Sequence, residues 1–121
     1  MTLATFLAIV AAGALGAVAR AAVSDAVQRR WPRRGAGTLV VNLLGAAALG
    51  AWLGLGERVE GALLVVVGTG FLGAFTTFST WMVEVFERWR AGARAGSLLE
   101  ACLTLVAGTV LALLAARLTS G

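Results

Sequence analysis

The chain of 121 residues is strongly apolar and weakly charged, with 60% hydrophobic and 13% charged residues. Its mean hydropathy of +0.91 excludes an ordinary soluble domain with a normally charged surface. Histidine is absent and Cys102 is the single cysteine, which excludes a Cys/His zinc site and an intramolecular disulfide. All ten positive charges are arginines that flank apolar runs, so they indicate membrane topology rather than a nucleic-acid partner.

Four charge-free runs predict four transmembrane helices. They cover residues 1–19, 35–56, 61–83 and 101–116. A helix needs about 20 apolar residues to cross the hydrocarbon core, and the fourth run reaches that length with its flanking residues. We therefore predict one all-α integral membrane domain over residues 1–121. Its spans are expected at about 3–23, 37–55, 61–83 and 98–117.

The first two predicted spans each contain a residue that a plain lipid-facing helix would lack. Arg20 closes the first span, and two interpretations stay open: an anchor that snorkels to the interface, or a residue that lines an entrance. In the second span, the Asn42 amide must find a partner or line water. Thr38 and Gly45 share its helical face. The alternative is that Asn42 only holds helices together.

The third predicted span contains the stretch GTGFLGAFTTFSTW at residues 68–81. Its glycines weaken a helical backbone, and its hydroxyl and aromatic side chains replace the leucine and valine of a lipid-facing helix. Non-helical backbone at membrane depth is tolerated only where protein buries it or where it lines a wet cavity. We therefore predict a broken third helix with exposed carbonyl and hydroxyl groups, which is a candidate ion site.

The fourth predicted span has a polar face of its own. Glu100, Thr104 and Gly108 follow one another at steps of four residues. The alternative interpretation is that Thr104 bonds to a carbonyl of its own helix, while Glu100 only marks the membrane edge. We expect the polar stripes of spans two, three and four to face one another.

Three stretches stand out when taken together: GAVAR at residues 16–20, GTLVVNLLG at 37–45 and GFLGAFTTFSTW at 70–81. In combination they resemble the CrcB/Fluc family of fluoride channels. The resemblance implies a fluoride-selective channel, not an enzyme, that lets fluoride leave the cytoplasm passively through the cell (inner or plasma) membrane and so lowers fluoride toxicity. It also implies an antiparallel dimer of four-span subunits in the lipid bilayer, with two pores and a structural sodium ion that is not transported.

Roles for single residues follow from the resemblance by position. The sodium ligands would be the backbone carbonyls of Gly73 and Thr76, and Arg20 would lie in the vestibule. The residues that the resemblance and the shared helical faces assign to the fluoride pore are Thr38, Asn42, Phe78, Ser79, Trp81 and Thr104.

The chain departs from the family pattern at three positions. Trp81 replaces the second pore phenylalanine, Ala74 replaces a common glycine, and Glu100 replaces the tyrosine often found one turn before Thr104. A carboxylate beside an anion path needs a neutralising cation, either Arg20 or another. Trp81 keeps an aromatic edge at this position but changes the shape of the ring.

The arginines are unequally divided between the two sides of a four-span chain. Eight lie on one side, and only Arg58 and Arg117 lie on the other. The positive-inside rule then puts both termini outside. An antiparallel homodimer should show little such bias, so a homodimer and a heterodimer with an oppositely biased paralogue both stay open.

Two other classes compete with a fluoride channel. A small four-span multidrug or cation transporter normally needs a carboxylate inside its first span, and residues 1–19 contain none. A non-transporting membrane assembly protein would use its Gly/Ala faces only for packing.

Overall fold

The computed structural model describes residues 1–121, except for the side chain of Glu57. Six α-helices are present, together with a 3₁₀ turn at Gly56–Arg58 and a π-helical segment at Val66–Leu72. The α-helices are α1 (Leu3–Arg30), α2 (Ala36–Leu55), α3 (Gly61–Val65), α4 (Gly73–Phe75), α5 (Phe78–Arg90) and α6 (Arg94–Ser120). None of the described residues is in a strand.

Four helical segments are long and apolar enough to cross a membrane: Leu3–Arg30, Ala36–Leu55, Gly61–Arg90 and Arg94–Ser120. The prediction of an all-helical chain with four membrane-spanning segments is therefore confirmed. The first segment continues past residue 23 to Arg30, because residues 24–31 contain no glycine or proline and Pro32 is the first residue that cannot continue the helix. The third segment contains α3, the π-helical segment, α4 and α5 in succession.

Glycines set the closest approaches between the helices. A Cβ atom at Gly16 of α1 would overlap the carbonyl of Phe71, which lies in the π-helical segment. On α2, a Cβ at Gly50 would overlap the backbone of Ala112 on α6. Small residues thus let backbones meet directly, as is usual where helices pack inside a membrane.

The outer surface of the chain is apolar and its interior is small. Large side chains such as Leu15, Val18 and Leu103 are more than half exposed, whereas Val41 and Trp81 are buried. A soluble protein would not expose so much continuous apolar surface. This arrangement suits a hydrocarbon solvent around the helices.

The two ends of the bundle differ in charge. At one end, which we call the basic end, the ion pairs Arg33–Glu100 and Arg34–Glu87 join the α1–α2 connection to α6 and α5, and Arg88–Glu100 joins α5 to α6. At the other end, Arg58 donates to the carbonyls of Thr119 and Gly121, each at 2.8 Å. The ion pairs therefore put the α1–α2 and α5–α6 connections on the same side of the molecule.

Candidate functional site

The backbone of the third segment leaves the helical conformation at two threonines. Thr76 has φ −85° and ψ 159°, and Thr77 has φ −144° and ψ 117°, both extended. The Thr77 hydroxyl accepts the N–H of Thr80 at 3.3 Å, so it caps the start of α5. Two extended residues therefore separate α4 from α5.

The Asn42 side chain of α2 pairs with both backbone groups of Thr77. Its Nδ2 donates to the Thr77 carbonyl at 2.9 Å, and its Oδ1 accepts the Thr77 N–H at 2.8 Å. The Thr77 N–H is thereby directed to Asn42 rather than to the Gly73 carbonyl four residues earlier, as a continuous helix would require. An amide carries two N–H donors, so one remains beyond this pairing.

A cavity of about 380 Å³ lies next to this pairing, between α2, α5 and α6; we call it the groove. All of its lining residues are uncharged. The polar or aromatic ones are Asn42, Thr76, Thr77, Phe78, Trp81, Thr104 and Thr109. Of the residues assigned to the pore, the groove thus brings together Asn42, Phe78, Trp81 and Thr104.

The two aromatic rings of the groove meet edge to face. The ring centroids of Phe78 and Trp81 are 5.6 Å apart, with an interplanar angle of 70°. Phe78 is 70% exposed and Trp81 only 7%. The positive edge of an aromatic ring attracts negative charge, so this pair can present a weakly positive surface to an anion.

The threonine hydroxyls of α6 already donate within their own helix. Thr104 Oγ1 donates to the Glu100 carbonyl and Thr109 Oγ1 to the Leu105 carbonyl, both at 2.8 Å. This matches the alternative interpretation of Thr104 given above, and a hydroxyl must rotate to donate into the groove. Thr109 was not singled out from the sequence, because it lies off the helical face that Glu100, Thr104 and Gly108 define.

A second, smaller cavity of about 170 Å³ lies against α1. Arg20 and Thr38 line this cavity rather than the groove, and Thr77 lines both. The Arg20 Nη1 donates to the Thr76 carbonyl at 3.3 Å, and Thr38 Oγ1 donates to Glu84 Oε1 at 2.7 Å. Ser79 is exposed on α5 and is absent from both linings.

The two carbonyls expected to hold sodium lie in different surroundings. The Gly73 carbonyl is released from the helical ladder at Thr77, as described above, whereas the Thr76 carbonyl accepts the Arg20 guanidinium. Neutral carbonyl oxygens suit sodium, and half-helix ends hold this ion in other membrane proteins. The donor type fits, but the Arg20 charge next to Thr76 opposes a second cation there. Among the described residues, no group of three or more His, Cys, Asp or Glu side chains could hold a metal.

The cations beside Glu100 are Arg33 and Arg88. Arg33 Nη2 lies 2.9 Å from Glu100 Oε2, and Arg88 Nη1 contacts the same oxygen. Arg20, which the sequence offered as a counterion of Glu100, instead donates to the Thr76 carbonyl. Glu100 therefore lies at the basic end in an ion-pair cluster, one helical turn from Thr104.

These features define a multi-pass membrane protein with an uncharged groove beside an interruption in its third segment. A family model described as CrcB-like protein, Camphor Resistance (CrcB), matches residues 7–116. The chain belongs to this family.

Relatives that match most of the chain carry the same kind of name. Fluoride-specific ion channel FluC 2 of Mycobacterium tuberculosis is 40% identical over 115 residues, or 94% of this chain and 90% of that protein. FluC 1 of Symbiobacterium thermophilum is 43% identical over 112 residues, or 88% and 87%. FluC 1 of Geobacillus kaustophilus is 56% identical over 68 residues, or 56% and 57%.

Proposed function

We propose that this chain is a fluoride-selective ion channel of the cell membrane and that the groove forms part of the fluoride pathway. The observation that carries the proposal is the uncharged groove, which combines the Asn42 amide with the Phe78–Trp81 edge pair. Its relatives are named as fluoride-specific ion channels. Channels are not enzymes, and we assign no catalytic role to any residue.

The chemistry of fluoride explains why neutral donors suit this groove. Stripping a small anion of water is costly: for a carboxylate-sized ion the idealised cost is about 20 kcal/mol. Hydrogen bonds to a charged group each contribute roughly 1.5–3 kcal/mol net, so several donors must act in sequence. The spare Asn42 N–H, the ring edges and a rotated Thr104 hydroxyl are the donors we assign to this task.

Passive release needs no further energy source. A negative cytoplasm drives a monovalent anion outward by about 2.3 kcal/mol per 100 mV. A fixed guanidinium in the groove would bind fluoride too tightly, since conduction requires sites that an ion can leave. The uncharged lining of the groove meets this requirement.

We propose that the third helix is functionally broken at Thr76 and Thr77 and that Asn42 maintains the break. Two unpaired backbone groups inside a membrane would each cost several kcal/mol. The two bonds from Asn42 satisfy both groups of Thr77. The Asn42 amide thus bonds to the Thr77 backbone through its oxygen and one N–H, and its second N–H can donate into the groove.

We further propose an antiparallel dimer. Phe78 is 70% exposed although it lines the groove, so a second chain is needed to close the groove around that ring. Both a homodimer and a heterodimer with an oppositely biased paralogue fit this requirement. The concentration of arginine at the basic end favours the heterodimer, because one sequence with this bias inserts preferentially one way.

Sodium is the ion we propose for the dimer centre, held by the Gly73 and Thr76 carbonyls of each subunit. When bound, it would offset the partial negative charge of carbonyls that the interruption exposes. Two features support this proposal. The Gly73 carbonyl does not accept the Thr77 N–H, which bonds to Asn42 instead, and uncharged carbonyl oxygens are suitable ligands for sodium. Arg20 contributes positive charge at the same place through Thr76, so we expect sodium to bind weakly.

Membership of the CrcB family is the argument against a small multidrug transporter. The lack of a carboxylate in residues 1–19 is a weaker argument, because the observed first helix is longer than the predicted span. α1 does contain Asp25, beyond residue 19, and this side chain lines the smaller cavity with Arg20. Membership of the CrcB family and the names of the relatives decide in favour of the channel. They equally disfavour an assembly protein that transports nothing.

Efflux from liposomes tests the proposed function. Purified protein is reconstituted with fluoride or chloride inside, and release is followed with ion-selective electrodes after a potassium ionophore sets the potential. We expect fast fluoride release and no chloride release above empty liposomes. Equal release of both anions would refute the assignment, as would release of neither anion after this chain is reconstituted together with an oppositely biased paralogue.

A further inference from the structure

The arginines of the basic end differ in what they contact. Arg33, Arg34 and Arg88 pair with glutamates, whereas Arg20 of α1 donates to the Thr76 carbonyl at the interruption. The ion pairs among the described side chains do not include the other four, which are Arg29, Arg30, Arg90 and Arg94. The positive charges of these four arginines are therefore not neutralised by a paired carboxylate.

Arg90 and Arg94 are held over aromatic rings at the turn between α5 and α6. The guanidinium carbon of Arg90 lies 5.9 Å from the ring centroid of Phe86, and that of Arg94 lies 5.6 Å from the ring of Trp89. Both distances are within the range of a cation–π interaction. Phe86 and Trp89 are themselves exposed, so each pair lies on the outer surface.

The surface between these two arginines is open. The intervening residues are Ala91, Gly92 and Ala93, all exposed, and a Cβ added at Gly92 or Gly96 would meet nothing within 4 Å. The three N–H groups of the turn donate back to carbonyls of α5. The charge offered to a ligand at this turn therefore comes from the two guanidinium groups.

We propose that Arg90, Arg94, Phe86 and Trp89, which we call the α5–α6 lipid site, bind the headgroup of an anionic phospholipid. The turn joins two membrane-spanning segments, so it lies at the level where headgroups lie. A tryptophan such as Trp89 is typical of that level, and a planar guanidinium binds two phosphate oxygens at once. Basic residues next to a membrane span attract anionic lipids. The site involves none of the groove residues and does not depend on fluoride conduction.

Native mass spectrometry of the full-length protein in detergent tests this site. Phosphatidylglycerol and phosphatidylcholine are titrated separately, and bound lipid is counted. The wild type is expected to retain phosphatidylglycerol in preference to phosphatidylcholine. The double variant Arg90→Gln/Arg94→Gln is expected to lose about fivefold in affinity per arginine, or roughly 25-fold in all.

Arg29→Gln/Arg30→Gln is the matched control, because it removes the same charge at the same end of the molecule without disturbing either cation–π pair. Retained phosphatidylglycerol binding in this control supports a defined site. An equal loss in both double variants would show diffuse attraction and overturn the proposal, as would a wild type without preference for the anionic lipid.

A third variant keeps the test decisive if the glutamine variant does not fold. Arg90→Lys/Arg94→Lys keeps the charge but loses the planar fork. The proposal requires this variant to bind phosphatidylglycerol more weakly than the wild type. Unchanged affinity would overturn it.

Discussion

Replacing Asn42 by aspartate separates the two tasks assigned to its amide. The substitution keeps the oxygen that accepts the Thr77 N–H at 2.8 Å, but it removes the Nδ2 donor to the Thr77 carbonyl at 2.9 Å. It also adds a negative charge to the lining of the groove. We expect Asn42→Asp to abolish fluoride flux.

The magnitude of the loss is dominated by the charge. Leaving the Thr77 carbonyl without its donor costs about 1–3 kcal/mol in stability. At a separation of about 5 Å and an effective dielectric constant of about 20, a carboxylate repels fluoride by about 3 kcal/mol. That repulsion alone corresponds to a rate lower by roughly 150-fold.

A second substitution distinguishes repulsion from damage to the fold. Asn42→Leu has a similar shape and no charge, but it leaves both backbone groups of Thr77 unpaired, so we expect it to lower the melting temperature without adding any repulsion of the anion. Fluoride efflux and thermal unfolding in detergent are measured for both variants. Wild-type flux in Asn42→Asp would refute the position of Asn42 beside the pathway, and an unchanged melting temperature in Asn42→Leu would refute its role at Thr77.

Two further predictions concern packing and sodium. Gly50→Ala should cost about 1–3 kcal/mol, measured by thermal unfolding, because the added methyl group overlaps the Ala112 backbone; Gly96→Ala, on an open part of α6, is the control and should be neutral or stabilising. If both variants melt alike, direct backbone contact does not set the α2–α6 distance. Exchange of sodium for N-methylglucamine should lower fluoride flux and shift the purified protein from dimer to monomer in size-exclusion chromatography, and no change in either would remove sodium from the proposal.

The number of spans could be predicted from the sequence because bilayer thickness imposes a length that charge-free runs reveal directly. The helical face shared by Thr38, Asn42 and Gly45 could also be predicted, since it depends only on helical periodicity. The structure turns all three toward the third segment. Their partners could not be predicted: Thr38 bonds to Glu84 and Asn42 to Thr77, residues distant in the sequence whose depth depends on the interruption.

The directions of the side chains that follow the interruption could not be predicted from the sequence either. A continuous helix fixes the direction of each side chain from its neighbours, but the two extended residues Thr76 and Thr77 reset the phase of α5. Trp81 is therefore buried in the groove, while Ser79, which the family resemblance assigns to the pore, is exposed on α5. A partner chain is the element that would bring Ser79 to a pathway.

Positive charge lies at the basic end, where it can attract an anion, and not in the groove, through which the anion would pass. The groove is uncharged, while Arg33 and Arg88 are fixed by Glu100 at the basic end, one helical turn, or about 6 Å, from Thr104. Positive charge at an entrance raises the local concentration of anions, whereas the same charge inside the groove would hold fluoride too tightly to be released. The carboxylate of Glu100 therefore need not oppose anion flow, because two guanidinium groups share it and leave the cluster with a net positive charge.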